Sequence, residues 1–240
     1  GLESTDPDAK TKDKLIGNTA NAIRAGIDAK SDWIEIDIRI TEGRRLVVFH
    51  VEEIEFRTDG EGNVAALTLE ELQGVAVSVK PTEKILTLEQ VFTQFHSEGQ
   101  RWIFDIKAEE ISVEFLDWLD QSGLSKEQVI LFGDYELLLD YKDSVYTLGY
   151  TTLFDDNYLN VLFNPSQIIA NCEDLNCKYL VLNMVFAKKS LVDLAKAKGI
   201  EVWVYGSDDI TDLENMRKIG ISGFIVDDPA TVLDYFETER

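Results

Sequence analysis

The sequence predicts an α/β fold built as a (βα)8 TIM barrel, and three observations support this prediction. Short β-rich apolar segments alternate with helical segments at intervals of roughly 20 to 30 residues, which is typical of βαβ units and a parallel sheet. The chain has 240 residues, of which 45% are hydrophobic, enough to build one large core. No linker, repeat or low-complexity segment divides it. We therefore expect residues 1–240 to form a single domain.

Eight segments have the character of strands, and predicted helices lie between most of them. The strand segments are 33–40, 46–50, 102–107, 129–133, 146–152, 179–183, 201–206 and 223–228. Thr68 and Thr87 are each followed three residues later by Glu or Gln, a capping box that marks a helix start. Gly199 and Gly220 mark the ends of two later helices. These signals predict four of the connecting helices.

One connection is too short for a parallel crossover. A crossover needs roughly a dozen residues or more, and the chain from Ile40 to Leu46 is shorter than that. These two segments must therefore form an antiparallel hairpin, inserted after the second barrel strand, and seven parallel strands remain. The eighth should precede the helix at 18–26, where the sequence is polar and charged. We expect the first strand to be atypical or missing, with residues 1–13 either disordered or forming that strand.

The composition excludes several classes of function. Lys and Arg number 23 against 45 Asp and Glu, a net charge of −22, so nucleic acid and anionic membranes are poor partners. No apolar stretch approaches ~18 residues, so no integral membrane segment is expected. Cys172 and Cys177 either pair in an oxidising compartment or stay free thiols. A periplasmic or extracellular setting is slightly favoured over a cytoplasmic one, and the oligomeric state is left open.

Three carboxylates predict a metal site. Glu35 and Asp37 are two residues apart on one strand, so both side chains project from the same face. Asp105 lies on the strand expected beside it, and Lys107, on the same face as Asp105, is placed to meet a substrate phosphate. Carboxylates this close repel each other unless a cation or proton intervenes, and oxygen ligands suit a hard divalent cation. The alternative is a solvated acidic pair at a strand end.

The hairpin brings a histidine towards these acids. If its turn consists of two residues, 42–43, His50 lies directly opposite Glu35 on the same face. A three-residue turn would shift the register by one and turn His50 away. A structural hydrogen-bonding role is the alternative for a single histidine in a strand. Trp203 is expected to be a core or pocket-wall residue.

The order of these motifs resembles the glycerophosphodiester phosphodiesterase family. Residues 33–43 and 46–50 resemble its E-x-D and V-V-x-H strands, and Arg57-Thr58 resembles its R-T pair. Asn18-Thr19 resembles part of its E-N-T motif, and 104–107 resembles E-I-K. The two capped helices and the closing segments 199–204 and 220–229 also match the family pattern, in order along the chain.

The resemblance implies a fold, a reaction and a set of site residues. Family members are barrels that cleave glycerophosphodiesters to glycerol 3-phosphate and an alcohol. They use Ca or Mg, held by carboxylates that match Glu35, Asp37 and, with Asp in place of Glu, Asp105. Two histidines act as general acid and base, and one of them matches His50.

The departures from the family pattern leave three hypotheses open. No H-R-G motif occurs in the sequence; in the family its His is the other catalytic histidine and its Arg binds phosphate. Val51 also replaces the family's Asp after the second histidine. The first hypothesis is a metal-dependent phosphodiesterase that is impaired or altered by the loss of one histidine. The others are a non-catalytic member that binds a metal or phosphate ester, and a different metal-dependent barrel enzyme acting on phosphodiester lipids.

Overall fold

A computed structural model describes residues 16–77, 83–97, 99–109, 111–152 and 164–238. These residues fall into two compact units, one ending at Gln128 and the other beginning at Val129. The predicted first strand, within 1–13, lies outside the described residues, and a single functional domain stays a prediction. No helix in the described ranges is long and apolar enough to cross a membrane.

The N-terminal unit holds the hairpin and one pair of parallel strands. Its strands run in the spatial order β3, β2, β1, β4, and only β1 and β4 are parallel neighbours. The strands are β1 (Ile34–Ile40), β2 (Leu46–Val48), β3 (Leu86–Thr87) and β4 (Trp102–Ile106). The helices are α1 (Ala20–Asp28), α2 (Leu69–Gly74), α3 (Leu88–Phe95) and α4 (Ser112–Ser122), with 3-10 turns at Ile54–Phe56, Val64–Ala66 and Lys126–Gln128.

Threonine side chains fix the starts of three helices in this unit. Thr68 and Thr87 complete the predicted capping boxes, in which Glu71 and Gln90 bond back to the cap backbone. Thr19 accepts a hydrogen bond from the backbone of Ala22 and caps α1. The predicted helix starts at 68 and 87 are thereby confirmed.

The hairpin turn differs from the two-residue turn that the sequence predicted. Ile40 pairs with Leu46, and Thr41 donates its backbone N–H to the carbonyl of Arg45, which leaves a three-residue loop. Arg44 takes a left-handed conformation with φ of 56° in that loop, as three-residue hairpin loops require. The register is therefore shifted by one, and the predicted pairing of Glu35 opposite His50 is wrong.

The C-terminal unit is a run of alternating strands and helices. Its five strands are parallel to one another and adjacent in chain order. They are β5 (Val129–Gly133), β6 (Thr147–Thr151), β7 (Tyr179–Asn183), β8 (Glu201–Tyr205) and β9 (Gly223–Ile225). The helices are α5 (Tyr135–Leu139), α6 (Pro165–Asp174), α7 (Lys189–Ala197), α8 (Ile210–Ile219) and α9 (Pro229–Thr238), with a 3-10 turn at Met184–Phe186. The described residues thus contain all seven segments predicted as parallel strands, with β1 and β4 parallel in the N-terminal unit and the other five parallel in this one.

The two cysteines are buried free thiols in the C-terminal unit. Burial raises the pKa of Cys177 to about 12, and burial together with the charge of Cys177 raises that of Cys172. Because the thiolate is the reactive form, both groups are unreactive at neutral pH. In this structure the predicted alternative of two unpaired thiols holds.

Candidate metal centre

The parallel pairing of β1 with β4 places two carboxylates side by side. Asp37 is level with Asp105, and Glu35 is level with Ile103, one step earlier on the same face. One potential ligand atom from each of Glu35, Asp37 and Asp105 lies within 4.8 Å of the others. The structure therefore brings the three predicted metal ligands into one cluster, the acidic trio.

Two neighbouring polar side chains hold Asp37 and Asp105 in place. The Lys107 Nζ lies 2.6 Å from an oxygen of Asp105 and 3.4 Å from an oxygen of Asp37. Asn18 donates its amide to Asp37 at 2.6 Å, and accepts the backbone N–H of Asp37 at 2.9 Å. Asp37 is only 4% exposed and Asp105 8%, so these contacts replace water around the two charges.

The electrostatics of the cluster reflect crowded negative charge. Burial, and then the charges of Asp37 and Asp105, raise the pKa of Glu35 well above its ordinary value. Burial alone would lower the pKa of Lys107, but the charges of Asp105 and Asp37 outweigh it and raise that pKa. The cluster thus favours a bound positive charge, and in this structure the Lys107 ammonium supplies one.

His50 lies just beyond the end of β2, so strand pairing does not place it. Phe49 donates its backbone N–H to the carbonyl of Asp37 on β1, and among the described residues it is the last of this arm with a backbone hydrogen bond to β1. The next residue, His50, is exposed. The surrounding protein still desolvates the imidazole and lowers the pKa of His50, while the charge of Asp37 opposes this shift and Lys107 adds to it. The imidazole is therefore within electrostatic reach of Asp37 and Lys107, although the predicted register was wrong. Its catalytic role stays a prediction.

Two residues of this cluster have contacts that the sequence did not reveal. Asn18 belongs to the E-N-T resemblance, yet no pattern predicts its bonds to Asp37, which lies 19 residues later. Arg39 donates its Nε–H to the carbonyl of His50 at 3.1 Å. Strand alternation could have found Arg39, because it is the next residue after Glu35 and Asp37 on their face of β1.

Trp203 is not among the residues gathered here. It belongs to the C-terminal unit, where its ring lies 4.4 Å from that of Tyr179 and 6.0 Å from that of Phe132. Gly223 lies against the same ring, since a Cβ at that position would come within 2.5 Å of it. These contacts describe aromatic packing, and a pocket-wall role for Trp203 stays a prediction.

The donor set fits a hard divalent cation. Ca and Mg prefer carboxylate and other oxygen ligands, and three carboxylates converge here from two adjacent strands. Two of the three are buried, which makes their mutual repulsion costly without a cation. The acidic trio could therefore hold a divalent cation.

Comparisons with known proteins agree with the fold and with the family resemblance. The model of the glycerophosphoryl diester phosphodiesterase family matches residues 11–231 of this chain. A glycerophosphodiester phosphodiesterase from Caldanaerobacter subterraneus is 26% identical, with 90% of each chain covered.

Solved structures show the same fold. A phosphodiesterase from Oleispira antarctica, in complex with the product sn-glycerol-3-phosphate, is 21% identical with a TM-score of 0.78, covering 92% of this chain and 91% of that one. A glycerophosphodiester phosphodiesterase from Thermotoga maritima is 22% identical with a TM-score of 0.74, covering 94% and 93%. These likenesses confirm the predicted α/β barrel class, and the family match confirms the resemblance. The chain belongs to the glycerophosphoryl diester phosphodiesterase family, whose members are phosphoric diester hydrolases.

Proposed function

We propose that this protein hydrolyses glycerophosphodiesters to glycerol 3-phosphate and an alcohol, with a divalent cation, Ca or Mg, at Glu35, Asp37 and Asp105. The convergence of three carboxylates on one face of adjacent strands carries the proposal. Release of glycerol 3-phosphate from glycerophosphocholine or glycerophosphoethanolamine, with Ca or Mg and again with chelator, tests it. No release with either metal would overturn it.

Each residue of the site has a role in this proposal. The bound cation would neutralise the phosphate and the charge that develops on it in the transition state. The acidic trio would hold the cation. Lys107 balances the remaining carboxylate charge and is a candidate contact for the substrate phosphate. His50 transfers a proton, and its lowered pKa keeps the imidazole neutral at pH 7, the form that accepts one.

We further propose that the rate is reduced. Hydrolysis of a phosphodiester needs one group to deprotonate the attacking oxygen and another to protonate the leaving oxygen. The only two histidines of the sequence are His50 and His96. His96 caps the end of α3 and stacks on Phe92, 5.4 Å away between ring centroids. A single imidazole at the acidic trio can serve one proton transfer at a time.

The binding-only hypothesis has a specific observation in its favour, which is the absence of an H-R-G motif from the sequence. It predicts that the protein binds sn-glycerol 3-phosphate in the presence of Ca and releases none from a diester. The hydrolysis assay separates it from the enzyme hypothesis. A periplasmic or extracellular location remains part of the proposal.

We expect Asn18→Gly to weaken cation binding about 10- to 100-fold, as loss of a partner to a metal ligand typically does. The substitution removes both hydrogen bonds to Asp37 without straining the backbone, because Asn18 has φ of 64° and glycine adopts that conformation freely. Calorimetric titration with Ca measures the change.

A matched control is available in the C-terminal unit. Asn176 also has a positive φ, of 52°, so Asn176→Gly makes the same change outside the unit that contains the acidic trio and should leave Ca affinity unchanged. Asn18→Ala should lose the same affinity and also cost roughly 1–2 kcal/mol of stability from left-handed strain. Equal Ca affinity in Asn18→Gly and Asn176→Gly would contradict a positioning role for Asn18.

A further inference from the structure

Arg39 is the one residue of the site face whose charge the proposed function leaves unused. Glu35, Asp37 and Arg39 alternate along β1, so the three side chains start from the same face of the strand. Arg39 lies about 6.6 Å beyond Asp37, towards the end of the strand. Its Nε–H bonds to the carbonyl of His50. The guanidinium group is thus fixed to the backbone of the proposed proton-transfer residue and also lies within electrostatic reach of Asp37 and Asp105.

The guanidinium group of the half-buried Arg39 makes few direct polar contacts. Among the described residues it forms no ion pair within 4.0 Å, and its hydrogen bond to His50 uses only one of five N–H donors. Other arginines of the N-terminal unit do form ion pairs, such as Arg44 with Glu114 and Arg45 with Glu89. Asp37, Glu52 and Asp105 attract the Arg39 charge electrostatically, but among the described residues none of them is in ion-pair contact with it. The terminal nitrogens are therefore available to an anion.

Lys107 is less suited to an anion in this arrangement. Its ammonium group already contacts Asp105 and Asp37, and its side chain is 15% exposed. Arg39 instead keeps the two terminal nitrogens of its fork, which match two phosphate oxygens at once, as a lysine cannot. The fixed Nε contact also pre-orders the fork, so less side-chain freedom is lost when an anion binds.

We infer that Arg39 is a phosphate-binding residue of this protein, whose terminal guanidinium nitrogens contact the phosphate group of the substrate between the acidic trio and His50. The inference rests on the proposed function and deepens it, since it names a phosphate contact in addition to the cation and the candidate Lys107. It also gives the chain an arginine for phosphate where the family's H-R-G arginine does not occur in the sequence.

The test measures binding of sn-glycerol 3-phosphate by calorimetry in the presence of Ca, and Ca binding alone. Arg39→Gln should weaken the binding of sn-glycerol 3-phosphate about 10- to 100-fold, the range expected for loss of a charge-assisted contact. The affinity of Arg39→Lys should lie between those of the unmodified protein and Arg39→Gln, because lysine keeps the charge but loses the guanidinium fork. The affinity for Ca alone should not fall in either variant.

Arg45→Gln is the matched control. It makes the same charge change on the hairpin, where Arg45 is half exposed and pairs with Glu89, and should leave sn-glycerol 3-phosphate affinity within about twofold. Thermal melting confirms that each variant folds, and Arg39→Lys keeps the test valid if Arg39→Gln does not.

Several outcomes would overturn the inference. One is equal sn-glycerol 3-phosphate affinity in Arg39→Gln, Arg39→Lys and Arg45→Gln. Another is slower hydrolysis in the Arg39 variants with unchanged ligand affinity, which would mean that Arg39 acts only by positioning His50. A third is loss of Ca binding in both Arg39 variants. If the unmodified protein binds neither Ca nor sn-glycerol 3-phosphate, the proposed function itself fails, so the two failures are distinguishable.

Discussion

Asp37→Asn should abolish divalent cation binding. Asp37 is the central member of the acidic trio, since it lies level with Asp105 on the adjacent strand and two residues from Glu35. The amide keeps the size of the side chain and can still accept from Asn18, but it removes the negative charge that a hard cation requires. Residues that only contact a metal ligand typically contribute about 10- to 100-fold in metal affinity, and we expect the loss of affinity in Asp37→Asn to be greater than that.

Calorimetric titration with Ca and with Mg measures this loss. Asp120→Asn on α4 is the control, because it makes the same chemical change at an exposed position of the same unit and should leave affinity unchanged. Melting curves without metal report whether Asp37→Asn folds. A protein that binds no Ca or Mg at millimolar concentration, or an Asp37→Asn variant that binds as tightly as the unmodified protein, would disprove the proposed metal site.

Addition of Ca to the unmodified protein should also raise its melting temperature, because a ligand that binds only the folded state stabilises it by mass action. The same addition should leave the melting temperature of Asp37→Asn almost unchanged. A rise of equal size in both proteins would place the stabilising cation elsewhere.

His50→Ala should lower the rate of glycerophosphodiester hydrolysis about 10²- to 10⁴-fold, the usual contribution of a positioned proton-transfer group. The imidazole is exposed at the edge of the site and within electrostatic reach of Asp37 and Lys107, so it can meet a substrate there. His96→Ala is the natural control, since His96 is the other histidine of the sequence and lies at the end of α3. Release of glycerol 3-phosphate from glycerophosphocholine with Ca or Mg gives the rates.

The pH profile adds an independent check on His50. Because the pKa of His50 is lowered, the imidazole becomes protonated only below the pH at which a free histidine does. A group that must accept a proton therefore stays active to lower pH, and the acidic limb of the rate should lie below about pH 6.5. An acidic limb above that value, or equal rates in His50→Ala and the unmodified protein, would exclude His50 as the base.

The absolute rate decides between impairment and full activity. With one imidazole for two proton transfers, turnover should lie well below the ~10 s⁻¹ that is typical of enzymes. Turnover near that value would contradict the reduced rate and mean that another group replaces the lost histidine.

The sequence by itself determined the fold class and singled out the three carboxylates that the structure brings into one cluster. Alternating strand and helix segments repeat along the chain, and each signal is local: capping boxes at Thr68 and Thr87, glycines after helices, and i, i+2 spacing on a strand. The pairing of Glu35 with Asp37 on one face needs no knowledge of the fold. The place of Asp105 beside them followed from strand order, and the register of β1 with β4 confirmed it.

Only the tertiary structure decided the register of the hairpin and the partners of the acids. The turn length depends on whether Arg44 takes a left-handed conformation, and an arginine at that position gives no sequence signal for it, as a glycine would. A difference of one residue in the turn moves His50 off the predicted pairing. The contacts from Asn18 to Asp37 and from Arg39 to the carbonyl of His50 join residues that no periodicity relates, because they depend on how separate elements pack in space.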